Sequence, residues 1–377
     1  MSLEIVPVRG RRALGRFIGL PWKLFDRRRF PQWVPPLRAM VSDALDEKTP
    51  FYRGAERELF LALENGRPVG RIAAIENRRH NEFHGERVGF FGFFESIDDA
   101  EVAGALLGSA GAWLRGRGLD VMRGPMNPST NHECGMLVES FELPVAFMTP
   151  WNPPYYPALM EAGALAKTKD LLAFWLPAQG FELPERYRRV AERVRERSNL
   201  QFRLLDRARF DQETERIWTI YNDAWEQNWG FVPMTREEFD HSAGMLKHLV
   251  LEDFAYFMEV DGEPAAFAAA LPDYNLTLAR NPSGRLFPFG LPRLLRDRTR
   301  LKRGRMLLLG VRERFRSKSI YFLFMTEFLR RGRSYGAEGA EASWILEDND
   351  RVLDFFREAG LAPTRRWRIY ERSLGER

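Results

Sequence analysis

The chain has 377 residues, 45% hydrophobic and 13% aromatic, with a formal net charge of +5 from 57 Lys+Arg against 52 Asp+Glu. That length exceeds one ordinary core and predicts two domains with ample apolar side chain to bury. The mild cationic excess argues against a dedicated nucleic-acid binder while leaving anionic partners open, and the single cysteine, Cys134, excludes an internal disulfide.

In chain order, Arg9, Arg11, Arg12 and Arg16 interrupt the first segment, so no signal-type apolar core follows Met1, and a cytoplasmic protein is expected. Asn65-Gly66 then joins Leu59 to Glu64 with Val69 to Ile75 in a hairpin. His80 and His84 have a zinc-like spacing but no third ligand, which predicts a solvated polar turn and no metal. A strand (Val88 to Phe94), an acidic turn (Glu95 to Asp99), a helix (Asp99 to Arg117) and a strand (Asp120 to Arg123) follow. The Gly/Pro-bounded stretch Gly124 to Met136 gathers Asn127, Asn131, His132, Glu133 and Cys134, and Tyr155 and Tyr156 open the next helix, Tyr155 to Ala162. Ordering so many polar side chains costs entropy, so use is expected of them: Glu133 or His132 as a base, with Asn131 beside them, and Tyr155 or Tyr156 as a phenolic acid. The same residue types also suit a hydrogen-bonded structural loop.

After a strand (Leu171 to Leu176), the chain reads as a Pro/Gly-containing linker that becomes an arginine-rich helix, Glu185 to Arg197, with a solvated face. Asn222, Trp225, Asn228 and Trp229 close a later helix, where Trp225 and Trp229 share a face and are most simply core. Asp261-Gly262 makes a second hairpin between Tyr256 to Val260 and Ala265 to Leu271. Leu286 to Arg303 places Phe and Leu residues ahead of concentrated cations, which suits a lid, a patch for anionic lipid, or a plain surface helix. Strand Arg305 to Val311, a basic turn, a helix from Ile320, strand Glu341 to Leu346, Asn349, a helix ending at Gly360 and strand Arg366 to Tyr370 complete the chain. The longest apolar run, Ile320 to Met325, is too short to span a bilayer.

Two halves repeat one pattern. Gly66 and Gly262 are 196 residues apart, Asn152 and Asn349 are 197 apart, and so are Gly163 and Gly360. An offset of 196 to 197 across these three ordered features predicts a duplicated fold. The turn Arg314-x-x-Ser317-x-Ser319 between a strand and a helix resembles the (Gln or Arg)-x-x-Gly-x-(Gly or Ala) turn of the GNAT acyltransferases, with both glycines replaced by serine.

The resemblance implies an α/β (α+β) fold of two GNAT-like domains in tandem, each a mixed, mostly antiparallel sheet flanked by helices. The implied divisions are residues 1–178 without a phosphate turn, a basic linker helix 179–198, and 199–377 with the cofactor site. It further implies acetyl-CoA or a longer acyl-CoA as co-substrate, held by Gly310, Val311, Arg314, Arg316, Ser317, Lys318, Ser319 and Asn349, and an N-acyltransferase acting on a small-molecule or lipid amine. In the family a tyrosine after Asn349 protonates the sulfur, and here Phe356 stands in that place. Asn127, Trp225, Asn228 and Trp229 are the implied acceptor-binding residues, and the chemistry is expected to be completed from both copies. Peripheral contact with an anionic inner membrane fits the basic insertion. A Fem-like transferase using aminoacyl-tRNA and a catalytically decayed binding protein are the alternatives, and tRNA enters as a partner only in the former.

Overall fold

The chain folds into two units, and neither is one continuous stretch. The computed structural model describes residues 2–197, 199–318 and 320–375, with side chains throughout except those of Arg197, Ser317 and Lys318. Unit 1 holds Met1–Leu171, Leu278–Gly290 and Arg365–Arg377, and unit 2 holds Leu172–Thr277 and Leu291–Thr364.

In unit 1, β1 (Leu3–Pro7), β2 (Ala55–Glu64), β3 (Arg67–Asn77) and β4 (Val88–Ser96) pair antiparallel in sequence, and β4 then pairs parallel with β5 (Val121–Gly124). Asn65 and Gly66 both take left-handed backbone, at φ 50 and 77, as a two-residue hairpin of matching twist requires. The crossover helix Ala100–Arg115 buries Val102, Ala103, Leu106, Leu107, Ala110 and Leu114, a helical stripe facing the sheet. Two short strands, β6 (Met126–Asn127) and β7 (Glu133–Cys134), form a ribbon, followed by β8 (Met136–Glu139). The expected polar turn around His80 is instead a helix, Arg78–His84, started by the Asn77 side chain, which accepts from the His80 amide. His80 is buried with Nε2 3.1 Å from Glu86, and burial lowers its pKa to about 4, so it is neutral at physiological pH.

β9 (Ala166–Pro177) runs out of unit 1 and into unit 2 at residue 172. Unit 2 repeats the same order: β10 (Leu200–Leu204), β11 (Ala255–Val260), β12 (Glu263–Pro272) and β13 (Arg303–Val311) are antiparallel, and β13 is parallel to β14 (Gly339–Leu346). Asp261 and Gly262, at φ 51 and 80, reproduce the first hairpin. The crossover helix is Ile320–Tyr335. Beyond β14, unit 2 uses the end of β9 as its neighbouring strand, while β15 (Pro363–Ser373) from Arg365 onward belongs to unit 1, antiparallel to β5 and β8. The linear cuts at 178 and 198 therefore give way to an exchange of final strands. The arginine-rich helix Glu185–Arg197 is no linker either. It buries Tyr187 and Ala191 in the core of unit 2, with the Tyr187 ring 4.3 Å from Phe322, while Arg188 and Arg189 point outward onto Glu185. Among the described residues no helix is long and apolar enough to cross a membrane.

Candidate functional site

In unit 2 the parallel strands open. β13 and β14 pair only from Arg303↔Gly339 to Met306↔Ala342, yet β13 continues to Val311 against β12, past an irregularity at Leu307. Alternate residues of an antiparallel strand turn their amides to opposite sides. The Arg312 amide donates to Ala265 O at 3.0 Å, so Gly310 shares the β12 side, and Val311 faces the side from which β14 has diverged. The Val311 carbonyl there accepts from Arg316 Nε at 3.4 Å. Of the two expected backbone donors, Val311 thus faces the gap and Gly310 does not.

Gly310 has a different role. A Cβ on it would lie 2.2 Å from Trp225 Cζ3 and 3.0 Å from the Ala224 Cβ, so the indole lies directly on the strand. Trp225 is the last residue of the helix Phe210–Trp225 and packs on Tyr221 with ring centroids 4.9 Å apart. Trp229 shares no helix face with it, because the helix stops and a loop begins. The Asn228 amide closes that turn onto Trp225 O at 2.8 Å. Asn222 holds the loop by exchanging two hydrogen bonds with the Met234 backbone.

The basic turn is a short helical segment, Glu313–Lys318, whose charges are largely matched. Arg312 donates to Asp223 at 3.3 Å and to Glu263 at 2.8 Å, and half-exposed Arg314 also pairs with Glu263. Arg316 donates to the carbonyls of Asp223 and Ala224, near the end of the helix Phe210–Trp225. The Glu313 amide donates to Asp223 Oδ1 at 2.6 Å, where an anion would otherwise sit. Ser319 and the side chains of Ser317 and Lys318 lie outside the described residues. Asn349 caps the helix Asp350–Glu358 by accepting from the Val352 amide, and Phe356 is fully buried and stacked on Phe174 at 4.2 Å, so it faces core rather than a thioester. An apolar pocket lined by Leu176, Ala270, Phe328 and Ala340 also touches Arg303 and Gly339, the end of the parallel pair opposite to the gap.

At the base of the gap the sheet carries a buried polar group absent from the sequence reading. Arg305 Nε donates to Ser343 Oγ at 3.0 Å, and Ser343 Oγ donates to Glu341 Oε1 at 2.9 Å, with Arg305 opposite Glu341 in register. All three are buried. Charged residues at the start of two apolar runs were the available signal, and they read as strand ends.

Unit 1 fills the corresponding gap with its own chain. β4 and β5 pair only to Phe90↔Arg123, and then Asn127 Oδ1 accepts from the Phe93 amide at 2.6 Å. The contact is so close that a Cβ on Gly92 would meet Met126 O at 1.7 Å. Asp99 caps the helix Ala100–Arg115, accepting from the amides of Glu101 and Val102 and so taking the place of an anion. In the adjoining loop Ser129 Oγ lies 2.8 Å from His132 Nδ1 and accepts from the Asn131 amide at 3.2 Å. Glu133 pairs with Asn127 on the ribbon, and Asn131, His132 and Glu133 are all partly exposed.

The two tyrosines sit in another network. Tyr156 OH donates to Glu95 Oε2 at 2.7 Å and accepts from the Ser96 amide at 2.9 Å, Tyr155 OH donates to Ser96 O, and Arg71 donates to Glu95 Oε1 at 3.3 Å. Burial pushes the Tyr156 phenol and the Glu95 carboxyl upward, with Arg71 opposing the latter. In the acidic turn Glu95 is thus matched internally. Tyr156→Phe is expected to cost about 1–3 kcal/mol of stability with turnover retained, because buried partners are left unpaired. Lost turnover with an unchanged melting temperature would make the phenol a proton donor instead.

No family model matches the chain. It is 36% identical over 384 residues to a bacterial ceramide synthase of Caulobacter vibrioides, covering 99% of this chain and 98% of that one. It is 34% identical over 370 residues to protein YghO of Escherichia coli, covering 96% and 93%. Among solved structures, a tandem GNAT protein from the clavulanic acid biosynthesis pathway superposes with a TM-score of 0.59 over the full length of both chains at 12% identity. That likeness shows the tandem GNAT fold.

Proposed function

Because the chain belongs to the family of the Caulobacter and E. coli relatives, with the tandem GNAT acyltransferase fold, we propose that it is an N-acyltransferase that moves a fatty acyl group from acyl-CoA to a long-chain amino alcohol. The observation that carries this reading is end-to-end similarity to a protein named for making ceramide, the amide of a fatty acid with such an amine. In this reaction the amine nitrogen attacks the thioester carbonyl, the C–S bond breaks, CoA leaves as the thiol, and the amine gives up a proton.

The Val311 amide, aimed into the gap beside β13, is the proposed donor to the developing oxyanion, with Trp225 walling the strand next to it. Arg314 is the turn cation proposed to exchange its carboxylate for a CoA phosphate. The test is incubation of the purified protein with sphinganine and either palmitoyl-CoA or acetyl-CoA, following thiol release and amide formation by mass spectrometry. Palmitoyl-CoA-dependent amide is expected. Absence of product and of thiol release with both thioesters sinks the reading.

A further inference from the structure

We propose that the loop of residues 285–290 docks on an anionic lipid bilayer, with Phe287 and Phe289 as the inserting side chains. These two are 70% and 73% exposed, whereas the next most exposed large apolar side chain among the described residues is at 46%. Loose chain does not explain their exposure. The base of the loop is fixed: Trp22 Nε1 donates to Pro282 O, Arg38 Nε donates to Ser283 O, and Asn281 Nδ2 donates to Arg285 O, each within 2.9 Å. Gly284 lies so close under Trp22 that a Cβ would come within 2.6 Å of the ring. An ordered loop that holds two phenylalanines in water implies something that covers them.

Charge identifies the cover. Arg285 is exposed in this loop, and Lys23, Arg27, Arg28 and Arg29 are exposed on the segment whose Trp22 holds the loop base. Against them, on that segment, stands exposed Asp26. Aromatic side chains at a tip with cations around it suit the boundary between headgroups and acyl chains, where each cation adds attraction to anionic lipid. A flat protein partner would need a broader face than two protruding rings.

The experiment is cosedimentation of the full chain with phosphatidylcholine vesicles, with or without about 30% phosphatidylglycerol. Binding to the anionic vesicles that weakens as salt rises is expected. The Phe287→Ser/Phe289→Ser protein is expected to bind at least about tenfold more weakly, a difference near 1.4 kcal/mol, while melting as the wild type does. Arg27→Glu/Arg28→Glu is expected to weaken binding as well. The inference is overturned if the wild-type chain ignores anionic vesicles, or if the double phenylalanine variant binds them as the wild type does. No substrate is present in this assay, so its outcome is independent of the acyltransferase reading. In detergent-dispersed substrate the phenylalanine variant should turn over as the wild type does.

Discussion

A Gly310→Val chain is expected to lose about a hundredfold in kcat/KM for the acyl thioester and about 1–3 kcal/mol of stability. The new Cβ would meet the Trp225 ring at 2.2 Å and the Ala224 Cβ at 3.0 Å. The indole cannot turn aside cheaply, since Tyr221 packs on it and Ala224 blocks the helix behind it. Relief must come from the strand, and that moves Val311, the residue whose amide faces the gap. Combining Gly310→Val with Trp225→Ala removes the worst contact, so the pair should be less destabilised than the sum of the single variants. Equal melting temperatures for wild type and Gly310→Val would contradict the packing. An intact melting temperature with lost turnover would place Gly310 in direct contact with substrate instead.

The features legible in the sequence were those with local causes. Asn65-Gly66 and Asp261-Gly262 announce hairpins because their left-handed backbone is a property of two residues. The helix Glu185–Arg197 was readable at both ends. Its apolar face is faint in the sequence because Tyr187, Val190, Ala191 and Val194 are its only apolar residues among six arginines and three glutamates. What periodicity could not show is which partner a segment takes. Ala166–Pro177 and Pro363–Ser373 read correctly as strands, yet each completes the sheet of the other copy. The same holds for the candidate site. Nothing near Arg314 and Arg316 in the sequence shows that Arg314 pairs with Glu263, 51 residues earlier, or that the carbonyls of Asp223 and Ala224 take Arg316. Tyr155 and Tyr156 looked free to act because Ser96, about 60 residues earlier, carries no mark of being their partner.

The strand exchange makes Asp170 the side chain whose loss should cost unit 1 most, about 3–5 kcal/mol for Asp170→Ala. Its carboxylate is 1% exposed and accepts from Arg368 Nε at 2.8 Å, Arg368 Nη2 at 3.0 Å and Arg366 Nη1 at 3.2 Å, with Lys167 Nζ at 3.2 Å. Arg366 and Arg368 lie on β15, so the carboxylate ties the end of the chain into the sheet of unit 1. Burial alone would raise the carboxyl pKa, but charge-assisted bonds from Arg368 and Lys167 outweigh it and hold the group below the usual aspartate range. The sign follows from linkage. A pKa lowered on folding contributes stability that is complete above the unfolded value, about 3.9, and is lost as pH falls through the folded value. Asp170→Asn, which keeps the shape and removes the charge, should therefore be far less stable than wild type at neutral pH, and the gap should close as the solution is acidified below about pH 4. Denaturant midpoints for both proteins across that range would measure this. A difference that stayed constant with pH would mean that shape rather than charge holds the exchanged strand.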